Sequence, residues 1–307
     1  MNIIDKNFKN LVDEIKSISE KELYYKIRMK FDQIPLETKN SCMNFFNQFG
    51  YWGYLDIDNN NYQEIELKAE ELHRHIDDFL WFYNHLEDYR SKALLYAILN
   101  NWYKYDFLET TKTKEYLYDD YFDLDLVKCD KNEVIVDLGA YVGDSILSYL
   151  KNYGDDCYKK IFCYEITPEN YDILKNNLAA YPNIEFKLKG ISNKTGNMKI
   201  NNNSTSSSAN SLISDNGDIE VTTLDEDIKD KITLIKSDIE GFEQKAIEGA
   251  KNHIINDHPK LLISVYHSNE DLWKIPKMIH ELSSDYKFYL RFNSSPIYPT
   301  EITLIAI

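Results

Sequence analysis

Two rhythms of hydrophobic and polar positions divide the chain. Over residues 1–120 the apolar residues recur at helical spacing. "EIELKAEELHRHIDDFLWFYNHL" places Leu67, Leu72, Ile76, Phe79, Leu80 and Tyr83 on one side of a helix. "SKALLYAILNNWYKYDFL" is apolar nearly all round, which predicts a buried helix. Between helical stretches, "FGYWGYLDIDNNNY" carries two glycines and an Asp/Asn cluster and reads as a turn or short hairpin. From about residue 121 short apolar runs alternate with amphipathic ones. "EVIVDLG", "KIFCYEI", "IEFKLKGIS", "ITLIKSDIEG" and "KLLISVYH" read as strands. "DSILSYLKNYG", "PENYDILKNNLAAY", "FEQKAIEGAKNHII" and "EDLWKIPKMIHELS" read as helices. Apolar strands separated by helices predict a parallel sheet covered on both faces. "YKFYLRF" and "TEITLIAI" close the chain with no helix between them, so they predict an antiparallel terminal hairpin. The polar stretch 201–211 predicts a surface loop, with a lid over the acceptor as the alternative. The expected division is 1–120, mainly helical, and 121–307, α/β.

Composition narrows the range of partners. The 307 residues carry a formal net charge of −16, which repels a phosphate backbone and argues against nucleic acid. No apolar run approaches the roughly 20 residues of a membrane helix, so no membrane insertion is expected. The N-terminus "MNIIDKNFKNLVDEIK" has no signal-peptide core and reads as a helix. Cys42, Cys129, Cys157 and Cys163 form no C-x-x-C pair, which suits reduced thiols in a cytoplasmic protein. His73 and His75, two apart on a helix, do not share a face and make no metal pair.

The chemistry is concentrated in the turn "VIVDLGAYVGDS". A dinucleotide turn reads G-x-G-x-x-G, but Tyr141 and Asp144 occupy its second and third glycine places. The same residues fit D-x-G-x-x-x-G through Asp137, Gly139 and Gly143. An acidic turn without the pyrophosphate glycines suits a ligand that is positively charged and has no phosphate. S-adenosylmethionine meets that description. The expected contacts are Asp137, toward the ammonium group, and the turn residues Gly139, Ala140, Tyr141, Gly143, Asp144 and Ser145. Glu165, ending the next strand about 20 residues on, is placed to accept both ribose hydroxyls, with Ile166 beside it. "KGIS" offers Gly190, Ile191 and Ser192 as an edge for adenine.

"VIVDLGAYVGDS", "YEITPENYDILKNNL", "TTLDEDI" and "LIKSDIEGFEQKAIEGA", in that order, resemble the FkbM family of S-adenosylmethionine-dependent methyltransferases. Its K-x-D-x-E-G-x-E pattern is filled by Lys236, Asp238, Glu240, Gly241 and Glu243. The resemblance spans roughly 121–307 and points to a subgroup with an extra helical N-terminal region. It implies a class I methyltransferase Rossmann-like sheet, mostly parallel with the antiparallel terminal hairpin. It also implies O-methylation of hydroxyls on natural products or surface-glycan sugars. "YLRFNS" departs from the family pattern, which has a histidine soon after Arg291.

Methyl transfer to a hydroxyl needs alignment of the acceptor and a base for its proton. Asp238 and Glu240, ending the fourth strand, and His267, ending the fifth, are the candidates. Asp238 is also a candidate for the cofactor's methionine part. A divalent metal held by these three is a weaker alternative, and no metal is expected. "SNED" forms a capping box from Ser268 to Asp271. The expected function is methylation of a small-molecule or glycan acceptor, with a homodimer through residues 1–120 as a possible assembly. Competing readings are an N-methyltransferase, a nicotinamide-dependent oxidoreductase with an unusual turn, and a cofactor-binding interaction module without catalysis.

Overall fold

A computed structural model describes residues 2–201, 207–297 and 300–307. Six helices come first: α1 (Ile3–Lys16), α2 (Glu20–Gln33), α3 (Leu36–Phe49), α4 (Gln63–His85), α5 (Tyr89–Lys104) and α6 (Phe107–Thr113). Then come β1 (Val134–Leu138), α7 (Asp144–Tyr153), β2 (Lys160–Glu165), α8 (Pro168–Asn177), β3 (Ile184–Leu188), β4 (Gly190–Ile191), β5 (Gly196–Asn201), β6 (Ser211–Asp215) and β7 (Ile219–Thr222). The chain closes with α9 (Leu224–Asp227), β8 (Leu234–Ser237), α10 (Glu243–Gly249), α11 (Lys251–Asp257), β9 (Lys260–Ser264), α12 (Asp271–Leu282), β10 (Phe288–Phe292) and β11 (Ile302–Ala306). Two compact units result. The first holds 1–116, 265–277 and 287–302; the second holds 117–264, 278–286 and 303–307.

In the first unit, local signals start the helices. Asn2 and Asp5 exchange backbone hydrogen bonds in a capping box at 2.9 and 3.0 Å, and Ser19 and Glu22 repeat the device on α2. The α4 stripe is buried at Leu72, Ile76, Phe79 and Tyr83, but Leu67 is exposed. The buried face instead takes Ile65 and the charged pair Glu64 and Lys68. Segment 50–62 is a turn closed by a bridge between Asp56 and Asn61. Arg291 is a structural tie: Nη2 donates to Asp88 Oδ2 at 2.8 Å, and Asp88 caps α5. Ser268 N–H donates to Asp271 Oδ2 at 2.9 Å, half of the expected box.

The main sheet has seven strands. Six belong to the second unit, in the order β11-β9-β8-β1-β2-β3. All its neighbours are parallel except β11, antiparallel to β9. β1 is buried at all five positions, as the β-branched run requires. The structure adds a second sheet, β4-β7-β5-β6, that the polar composition of 201–211 concealed. The flanks of that stretch are strands, and residues 202–206 lie outside the described residues, so the lid reading falls there. The single helix expected over 242–255 is two, α10 and α11.

Candidate functional site

The C-terminal ends of β1, β2 and β8, with the small sheet, bound a cleft of about 520 Å³ including its open mouth. Gly139, Tyr141, Glu165, Ile166, Gly190, Ile191, Asp238 and Glu240 all line it, so the structure brings together these eight predicted residues. A topological break at strand C-termini is where open α/β sheets bind ligands.

The β1–α7 turn explains its own sequence. Gly139 has φ +73°, and a Cβ there would stand 1.9 Å from the Asp238 carbonyl oxygen. Only glycine lets β1 and β8 approach so closely. Gly143, φ +89°, is the N-cap of α7 and packs under Leu174 and Leu178. Tyr141 is also left-handed, and its N–H donates to Glu165 Oε2 at 3.0 Å. The Thr167 N–H donates to Glu165 Oε1 at 2.7 Å. Burial raises the Glu165 carboxyl above its ordinary range, and these N–H donors offset only part of that.

Asp137 does not face the cleft. It is fully buried, with Lys236 Nζ 3.0 Å from Oδ1 and the Ser145 hydroxyl donating to Oδ2. Its charge is therefore compensated inside the fold. Burial opposes the Lys236 charge, but Asp137 and then Asp238 outweigh it and hold the ammonium above its usual range. Lys236 also donates to the Gly139 carbonyl at 2.9 Å, which ties β8 to the turn. Four other predicted contacts also lie off the cleft. Ala140 is fully buried, and Ser145 is spent on Asp137. Asp144 is exposed in the first turn of α7, and Ser192 is buried with its N–H on Thr222 O. His267 belongs to the first unit, where it is buried beside Tyr51 and Tyr266, three positions past the end of β9.

The β8–α10 turn carries the acids. Glu240 and Gly241 have φ +56° and +93°. Glu243, buried, accepts Ile239 N–H at 2.8 Å and Gly241 N–H at 3.1 Å, so one carboxylate clips the left-handed turn. The final Glu of K-x-D-x-E-G-x-E is thus a backbone clip. Asp238 accepts the Tyr121 hydroxyl at Oδ2, 2.6 Å away. Phe242, Met198, Leu212 and Val221 form an apolar cluster with Ile166 and Ile239 against it. Sequence reasoning missed Lys189, Asn210, Leu212 and Phe242 as cleft residues. Lys189 stands one place before the noted "GIS". Its ammonium bonds Glu220 at 2.8 Å and Asp227 at 3.2 Å. The Glu220 carboxylate, opposed by burial and helped by Asp227, raises its pKa.

The cleft wall thus carries three carboxylates, Glu165, Asp238 and Glu240, against one lysine. With the sheet order and the turn at β1, this is the site of a class I methyltransferase fold. A family model described as the methyltransferase FkbM domain matches residues 137–290. The chain belongs to the FkbM methyltransferase family. Among solved structures it is similar to methyltransferase FkbM from Methylobacillus flagellatus, with 24% identity and a TM-score of 0.66. That match covers 80% of this chain and 64% of that one, so the chain spans just under two thirds of its length. An rRNA methylase from Streptococcus thermophilus matches with 14% identity, TM-score 0.37, and coverage of 58% and 87%. Fibrillarin from Aeropyrum pernix, solved with bound S-adenosyl-L-methionine, matches with 12% identity, TM-score 0.38, and coverage of 58% and 67%. No curated protein matches the chain.

Proposed function

We propose that the protein transfers a methyl group from S-adenosylmethionine to a hydroxyl of a sugar or small metabolite in glycan or metabolite biosynthesis. The observation that carries the cofactor is the cleft's chemistry: a buried carboxylate at the end of β2, an apolar wall, and a net negative lining. These residues fit a cationic nucleoside without phosphate. Glu165 would accept the ribose hydroxyls. Ile166, Ile191 and Leu212 would sandwich the adenine. Asp238 would face the charged amino-acid end. When bound, the cofactor supplies a methyl group already activated by a positive sulfur.

The chain then has to align the acceptor and take its proton. With Asp238 committed to the cofactor, Glu240 is the remaining carboxylate of the cleft's β8 edge for that proton. His267 of the first unit is the other candidate base. The acidic lining also favours a cationic acceptor, which keeps N-methylation of an amine as the second reading. We place the protein in the cytoplasm, in keeping with four unpaired thiols, and assign residues 1–120 to homodimer formation or acceptor docking.

Calorimetry with S-adenosylhomocysteine tests the cofactor. Wild type should bind, and Glu165→Ala should weaken binding by about 1.5–3 kcal/mol, roughly tenfold to hundredfold. No heat with wild type, or equal affinity in the variant, would overturn the assignment.

A further inference from the structure

Thr167 is the N-cap residue of α8, yet its hydroxyl does not cap the helix. A threonine at that place ordinarily accepts an N–H of the first turn, and in a capping box the N3 side chain takes the N-cap N–H in return. Here both positions are diverted. The Thr167 hydroxyl accepts Asn210 Nδ2 at 3.0 Å, and the Thr167 N–H goes to Glu165 Oε1 at 2.7 Å. Asn170, at N3, faces Ser207: its Nδ2 donates to the Ser207 carbonyl at 3.2 Å, and its Oδ1 accepts the Ser207 hydroxyl at 3.1 Å. Glu165, Thr167, Asn170 and Asn210 are all buried. Burial raises the Glu165 carboxyl, and the Thr167 hydroxyl and Asn170 amide are among the groups that oppose it.

Ser207, Asn210 and Leu212 line the same cleft as Glu165. Only Ala209 and Leu212 are apolar among residues 207–212, so hydrogen bonds carry much of the seating of that wall. The start of α8 supplies them in place of its own cap. We infer that Thr167 is a positioning residue with two sides: its backbone N–H aims Glu165 at the ribose hydroxyls, and its hydroxyl holds the base-side wall, so that acid and wall are preset as one unit. This rests on the S-adenosylmethionine reading and adds to it what couples the two halves of nucleoside recognition. A preset wall lowers the ordering cost that the ligand meets on binding.

The test compares two probes on the full chain, adenosine and 2′,3′-dideoxyadenosine, which lacks both ribose hydroxyls. Calorimetry is run on wild type, Thr167→Val, which keeps the N–H, and Thr167→Ser, which keeps the hydroxyl. The fitted stoichiometry separates a loss of folded protein from weaker binding. Wild type should prefer adenosine by about tenfold or more. Thr167→Val should weaken dideoxyadenosine by about threefold, through the wall, and adenosine by about tenfold, so that the preference shrinks. Thr167→Ser should keep both affinities within about twofold of wild type. Equal fractional losses on both probes would confine Thr167 to the wall, and an unchanged dideoxyadenosine affinity would confine it to the acid; either overturns the inference. So does a serine variant as weak as the valine one, or a valine variant like wild type. Wild type that binds both probes equally would take Glu165 off the ribose, and the inference with it. Wild type that binds neither would overturn the cofactor reading and this inference together.

Discussion

Lys68 in the first unit and Lys236 in the second are both buried against a carboxylate, and the two pairs serve different ends. Lys68 sits one turn after Glu64 on α4, with its ammonium 5.0 Å and 4.9 Å from the ring centroids of Phe46 and Tyr105. The Tyr105 hydroxyl donates to Glu64 at 2.8 Å, and burial together with that carboxylate pushes the phenol well above its usual range. Cys42 nearby is pushed up to about 11, chiefly by burial. The charged pair is local in sequence, one helical turn apart, and its aromatic neighbours come from other helices of the same unit. The Lys236 pair joins two strands across 99 residues of chain and reaches the cleft turn through the Gly139 carbonyl. The first pair specifies a helix packing; the second shapes a binding surface.

The largest effects separate the two. Replacing one partner leaves the other charge buried and alone, a cost of about 3–5 kcal/mol. Lys68→Met and Lys236→Met should both lower the urea midpoint by that order. Only Lys236→Met should also abolish S-adenosylhomocysteine binding. Replacing the whole first cluster, Glu64→Leu with Lys68→Met and Tyr105→Phe, should return most of the stability, since well-packed apolar groups can replace a buried pair. Asp137→Leu with Lys236→Met should not return binding. If Lys68→Met alone removes binding, the contrast drawn between the pairs is wrong.

Two glycines sharpen the comparison at a smaller scale. Gly50 ends α3 with φ +71°, and a Cβ there meets only the Tyr54 hydroxyl at 3.9 Å. Gly139 has nearly the same φ, +73°, but a carbonyl oxygen at 1.9 Å. Gly50→Ala should therefore cost the dihedral alone, about 1–2 kcal/mol. Gly139→Ala should cost a further 1–3 kcal/mol or so, as the strands are forced apart, and should lose the cofactor. Equal midpoints for the two variants would show that the β1–β8 approach is soft.

The legibility of the sequence follows the same line. Signals that are local were readable: capping boxes, β-branched strands, the acid after β2, and the acids of K-x-D-x-E-G-x-E. The cleft assembled from those strand ends. What was not readable depends on distant partners. The acid of the β1 turn looks available until Lys236 is seen to claim it. Glu243 looks like a helix-opening acid until its two backbone donors are seen. Tyr121 carries no motif, and only the fold brings its hydroxyl to Asp238. The small sheet hid behind Asn and Ser because β5 buries only Met198 fully, so hydrophobicity gave no period to read. Gly249 closes α10, and its missing Cβ would lie 2.1 Å from the Ser192 carbonyl oxygen, a close approach to a residue 57 places away that no local signal announces.

The smallest expected effect is a pH dependence, and it distinguishes a carboxylate that serves a ligand from one that serves the fold. Burial raises the Glu165 pKa above the ordinary carboxylate value. Ribose hydroxyls donate to the ionised form, so protons and nucleoside compete for it. Affinity for S-adenosylhomocysteine should weaken a few-fold as pH falls from 7.5 toward 5, while the ligand's own amino and carboxyl groups do not titrate. The free protein should show the opposite slope. A carboxyl whose pKa is higher folded than unfolded binds its proton more tightly in the native state, so its contribution to stability falls as pH rises from the unfolded value through the folded one. Glu165→Gln removes both slopes, and subtracting its profiles from those of wild type isolates this one group. Opposite signs for binding and stability would place Glu165 in contact with the ligand. Parallel signs, or a wild-type affinity flat with pH, would mean that the two backbone donors from Tyr141 and Thr167 are the carboxylate's whole purpose.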